Sequence, residues 1–147
     1  MEDSRLTELC ALSTGVAAAF TATASELELR FDVLECWRQP RLLVAGVSDP
    51  SLPGALGVKK LGRDLEAVSR RIGLGSDAGG VPERKFRPHV TLARDVRHFP
   101  AARPLDPIAW RFAEFVLVDS KTGAQGSVYT VLRTFPIAAV NRGPDLQ

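Results

Sequence analysis

The sequence predicts a mixed α/β domain, of the α+β kind, whose strands pair mainly antiparallel. Three observations carry that expectation. Two stretches repeat apolar residues at helical spacing, and five others have the length and pattern of strands. The connections within the first and last strand pairs are also short enough for hairpins. The chain has 147 residues, the length of one domain, which we assign to residues 1–140 with 141–147 as a disordered tail. Hydrophobic residues make up 45% and charged residues 24%, enough to build a core without disulfide or metal.

Ser4 stands where an N-cap would, and Leu6, Leu9, Cys10, Leu12, Val16 and Ala17 recur behind it, predicting a helix over 5–20. Residues 26–33 alternate polar and apolar, the pattern of a strand with one buried face. A turn at Gln39-Pro40 leads to a continuous apolar run, Leu42 to Val47, and the two strands are expected to pair antiparallel. Ser51 reads as the cap of a second helix with Pro53 in its first turn. Leu56, Leu61, Leu65, Val68 and Ile72 carry its apolar stripe to Gly73 or Gly75. Residues 75–85 are polar and glycine-rich and read as a loop entering the strand that holds His89. Pro100, Pro104 and Pro107 mark a second irregular loop. Strands over 110–118 and 128–135, joined by a turn within 121–127, complete the order αββαβββ. Trp110 heads the first of these and reads as core.

Several function classes are disfavoured at this level. A net charge of +2 argues against long non-specific tracking along nucleic acid. Cys10 and Cys36 have no histidine companions at ligand spacing, so no metal is expected; as free thiols they suit a reducing, cytoplasmic location. No apolar run approaches the ~20 residues of a membrane span, and the acidic start Met1-Glu2-Asp3-Ser4 is unlike a secretory signal. Gly73, Gly75, Gly79 and Gly80 do not form a phosphate-loop pattern, and no cofactor is expected.

The chemistry concentrates in Phe86-Arg87-Pro88-His89-Val90-Thr91-Leu92-Ala93-Arg94. Residues two apart on a strand share a face, so His89 and Thr91 point the same way. An imidazole exchanges a proton near neutral pH, and a hydroxyl hydrogen-bonds a phosphate oxygen. Arg84, Lys85, Arg87 and Arg94 surround the pair with positive charge suited to an anion. Strict alternation, however, turns Arg94 to the opposite face unless the strand bends near Ala93. His98 sits in a loop with no threonine two residues on and reads as a surface residue. Trp37, beside Arg38 and Arg41, suits either stacking on a base or packing against its own hairpin.

The segment 86–94 resembles the second signature of the two-histidine phosphoesterases, and is most similar to that of the RNA 2',3'-cyclic phosphodiesterases, also called 2'-5' RNA ligases. The stretches 36–47, 112–120 and 129–132 resemble other parts of the same family. The resemblance implies a bilobal fold of mainly antiparallel sheets with helices on the outer faces. It implies that His89 orients or deprotonates the attacking water, that Thr91 holds a phosphate oxygen, and that Arg94 and Arg87 bind the phosphate. Its substrates are RNA or oligonucleotide ends with a 2',3'-cyclic phosphate. The hydrolysis uses no metal or other cofactor and no membrane, and full-length members are expected to be monomers.

The family carries two His-x-Thr motifs, and this sequence supplies one. The first motif's histidine, which protonates the leaving ribose oxygen, is expected N-terminal to the helix that here begins near Arg5. The chain therefore reads as N-terminally incomplete relative to the family. Three arrangements remain open: a true start upstream of Met1, a remnant without catalysis that either binds RNA or nucleotide or is an inactive fragment, or a dimer in which two copies of His89 stand for the two motifs.

Overall fold

Two helices and six strands order the described part of the chain, residues 3–74, 86–123 and 126–139 of a computed structural model. They run α1 (Asp3–Ala19), β1 (Glu28–Trp37), β2 (Leu42–Gly46), α2 (Pro53–Arg71), β3 (His89–Arg94), β4 (Arg103–Arg111), β5 (Glu114–Gly123) and β6 (Gly126–Pro136). The first four strands in chain order form one sheet, arranged β3-β2-β1-β4, and β5 and β6 form a second. Every strand pair is antiparallel. The α+β class expected from the sequence is therefore the observed one. The loop at 75–85 and the tail at 141–147 lie outside the described residues.

Local chemistry sets the element ends. The Thr23 amide and hydroxyl both donate to the Glu26 carboxylate, at 2.7 and 3.0 Å, closing a turn, so β1 starts at Glu28 rather than at 26. Beyond the turn the alternation holds: Leu27, Leu29 and Phe31 are buried. Helix α2 is capped by Leu52 with no side-chain bond, because the Ser51 hydroxyl donates to Asp49 Oδ1 instead, at 2.6 Å. Its C-terminus closes through Gly73 at φ 68, with Leu74 N–H donating to the Ser69 carbonyl at 2.9 Å. That is the left-handed exit glycine favours. Helix α1 already includes Asp3, so Ser4 lies inside it and is not its cap.

The helices cover one side of each sheet. Cys10 and Ala17 of α1 pack on Phe135, Phe115 and Leu117 of the β5–β6 sheet, while Leu9 meets Val68 of α2 and Ile72 just past its end. Val58 of α2 lies against Leu29, Phe31, Ala45 and Val90 of the larger sheet. This approach is close: a Cβ at Gly54 or Gly57 would overlap the carbonyl of Glu28 or Glu26, so only glycine fits at either position.

Three expectations need correction. Residues 103–111 form a strand, not an irregular loop. Pro104 and Pro107 are tolerated because β4 is an edge strand with a register irregularity between its pairs Pro104–Val33 and Ile108–Phe31. The single strand expected over 110–118 is two strands in different sheets, broken at Phe112-Ala113, where the chain crosses between them. Trp110 is 54% exposed rather than core, touching Phe31 with ring centres 6.0 Å apart.

Candidate active site

Strand β2 is the axis of the site, with β3 on one side and β1 on the other. Three rows cross the sheet: His89–Gly46–Val33, Thr91–Val44–Glu35 and Arg94–Leu42–Trp37. Directly opposed residues share a face, so His89, Thr91, Arg94, Glu35 and Trp37 all project to the same side. Arg94 belongs there because of a bulge. Thr91 faces Val44 and Ala93 faces Leu43, leaving Leu92 as one extra residue in β3. One inserted residue inverts the alternation beyond it. The bend that Arg94 required is thus supplied at Leu92.

The side chains converge on His89, which is exposed. Its Nδ1 lies 2.8 Å from the Arg87 carbonyl oxygen. A carbonyl only accepts, so this bond holds the proton on Nδ1 and leaves the Nε2 lone pair facing outward. The Trp37 ring meets the imidazole at 4.5 Å between centres, inclined by 53°. The Arg87 guanidinium sits over the same indole, 4.9 Å from its centre. One oxygen, Glu35 Oε2, accepts from both Trp37 Nε1 at 3.0 Å and Arg87 Nη2 at 2.7 Å.

Sequence reasoning singles out His89, Thr91, Arg94, Arg87 and Trp37, and all five lie in this cluster or on its face. It misses Glu35. The available signal was its position two residues before Trp37, on the same strand face. Thr91 is half-buried, in the row of fully buried Val44. Arg94 is exposed and makes no hydrogen bond or ion pair among the described residues, so its charge is open to a ligand. Arg87 is engaged with Glu35. The β1–β2 turn adds Arg41, 3.5 Å from Asp95, and Arg38, over the Phe99 ring. His98 is exposed in the loop past β3, as expected, while Arg84 and Lys85 lie outside the described residues.

Chemically, the face offers a proton acceptor at Nε2, a hydroxyl two residues away and an open guanidinium. That set fits an anionic ester attacked by water. Among the described residues no three metal-ligating side chains converge, and no helix is long and apolar enough to cross a membrane. A depression of about 250 Å³ lined by Leu34, Cys36, Leu43, Pro100, Ala101 and Arg103 lies on the opposite sheet face. It has one charged side chain and no proton-transfer group beside its free thiol.

No protein-family model matches the chain. A curated relative, the RNA 2',3'-cyclic phosphodiesterase of Thermus thermophilus, is 36% identical over 86 residues, which cover 56% of this chain and 43% of that protein. The match thus spans less than half the relative's length. Among solved structures, one described as a phosphoesterase superposes with a TM-score of 0.70 at 21% identity, covering 93% of this chain and 71% of the other. Ligand-free E. coli LigT gives 0.68 at 20% identity, over 93% and 70%. A further protein from Thermus thermophilus gives 0.63 at 25% identity, over 95% and 73%. LigT has also been solved with phosphate and with 3'-AMP.

Proposed function

We propose that the chain is a two-histidine phosphoesterase and that it acts on RNA ends bearing a 2',3'-cyclic phosphate, opening them to 2'-phosphates. The observation that carries this reading is the hydrogen bond from His89 Nδ1 to the Arg87 carbonyl, on a face shared with Thr91 and Arg94. That bond leaves Nε2 as the acceptor for a proton of the attacking water. Water oxygen bonds to phosphorus, the bond from phosphorus to the ribose 3'-oxygen breaks, and the 3'-oxygen departs with a proton. The Thr91 hydroxyl and Arg94 guanidinium hold the non-bridging oxygens, where charge builds as the ring opens. A 5'-hydroxyl attacking phosphorus in place of water, with the same bond to the 3'-oxygen breaking, joins ends through a 2'-5' linkage. Phosphate and 3'-AMP, seen bound to the structurally similar LigT, are chemically consistent with such a site. Two free thiols, Cys10 and Cys36, suit a cytoplasmic setting.

The sequence contains one His-x-Thr, so the described face supplies the base and not the acid that protonates the 3'-oxygen. This favours one further reading, a module that binds the cyclic phosphate without turning it over. Incubating the purified chain with a 2',3'-cyclic nucleotide separates the two. Turnover that His89→Ala removes supports catalysis, with a second copy of the chain supplying the acid. Binding without turnover, weakened by Arg94→Ala, supports the module. Neither binding nor turnover overturns both.

A further inference from the structure

We propose that Glu35 is a positioning residue that fixes the His89 imidazole in its Nδ1–H form by anchoring the two groups that touch it. The inference rests on the role assigned to His89 above. Arg87 belongs to the segment 86–88, which precedes β3 and pairs with no strand. Its carbonyl is nevertheless the acceptor that sets the tautomer. What ties Arg87 down is its own side chain, bonded to Glu35 Oε2 at 2.7 Å and laid over the Trp37 ring. The indole that Arg87 covers is itself held by Glu35, at 3.0 Å, and packs on the imidazole. One carboxylate therefore secures both the edge of the ring, through the Arg87 carbonyl, and its flank, through Trp37.

Glu35 is not the missing acid. Oε2 is already the acceptor of two N–H donors, one of them from a guanidinium, where an acid would have to donate. Its charge also occupies Arg87. A carboxylate facing a phosphate is tolerable here because the ion pair is neutral overall, which leaves Arg94 as the free cation of the cluster. Removing Glu35 has two opposite effects: the imidazole loosens, and Arg87 is released toward the anion.

The test compares Glu35→Ala and Glu35→Gln in the full chain. The glutamine keeps a neutral acceptor for both donors. Nitrogen-15 spectra report the tautomer directly, with His98 as an internal reference. Wild type is expected to show His89 as Nδ1–H, and Glu35→Ala a mixture of tautomers, with the Trp37 indole N–H signal shifted toward that of a free indole. Turnover should fall roughly tenfold in Glu35→Ala, short of the ~10²-fold that a 1 Å misplacement can cost. KM should not rise, since Arg87 is freed, and Glu35→Gln should recover most of the rate. A wild-type tautomer in Glu35→Ala overturns the proposal. If that variant does not fold, Arg87→Met removes the same anchor and is read the same way. Absence of turnover in wild type would instead defeat the functional reading, while the spectra would still decide the role of Glu35.

Discussion

A histidine on an exposed strand face becomes a base only if its proton is kept on the correct nitrogen, and here a main-chain carbonyl does that. The common face of His89 and Thr91 was legible because a two-residue spacing on a strand fixes it whatever the surroundings. Glu35 was not legible, because a glutamate in an alternating strand reads as solvent-facing until its partners are known. From sequence, Trp37 suits a stacking surface and a packed turn residue equally; its ring lies against both Arg87 and His89. Thr91→Val keeps the branched shape and removes the hydroxyl, so stability should hold while kcat/KM falls about tenfold or more, the worth of a hydrogen bond to a charged group. Steady-state kinetics beside thermal unfolding checks this. Away from the site, Asp32 accepts from the Ser48 hydroxyl at 2.7 Å and its amide at 2.8 Å, which hold the carboxyl below its ordinary value. A lowered folded-state value means stability that is complete above the ordinary carboxylate range and lost as pH falls through the folded value. Wild type should therefore exceed Asp32→Asn in denaturant midpoint at neutral pH, and the gap should close in acid.

At the level of elements, the sequence located both helices and the central strands; the apolar stripe is strong in α2 and weak in α1, which is rich in alanine and leucine. Sequence reasoning failed at β4, where prolines signal a loop unless the strand is known to be an edge. It also could not place the bulge in β3, since nothing in Thr91-Leu92-Ala93 marks which residue is extra. Pairing with β2 decides that. Deleting Leu92 should restore simple alternation with Ala93 still opposite Leu43 and Arg94 still opposite Leu42, so Arg94 should stay on the face of His89. Phosphate affinity should then hold, whereas Arg94→Ala should lower it roughly tenfold for one charge-assisted contact, as read by calorimetry. The α2–β1 approach is as demanding. Gly54→Ala forces a methyl into the Glu28 carbonyl and should destabilise by roughly 1–3 kcal/mol, seen as a lower denaturant midpoint.

Across the molecule, the two sheets differ in cover. The inner side of the β5–β6 sheet packs on helices through Phe115 and Leu117, while Val116, Val118, Tyr129 and Val131 are 42%, 39%, 62% and 57% exposed. Val118 and Val131 are directly opposed, making one contiguous apolar strip. An apolar fluorescent dye should bind the native chain, and Val118→Lys with Val131→Lys should abolish that signal without lowering the melting temperature. The overall α+β class was legible from element order alone, whereas the separation of β4 and β5 into different sheets depends on long-range pairing that no local pattern encodes. The larger sheet presents His89, Thr91 and Arg94 on one face of β3, and we propose that this face binds the anion. Titrating the isotope-labelled chain with a 2',3'-cyclic nucleotide and following its amide resonances tests it directly. Shifts should centre on Gly46, His89, Thr91 and Arg94; shifts centred on Leu34, Cys36 and Leu43, across the sheet, would contradict it.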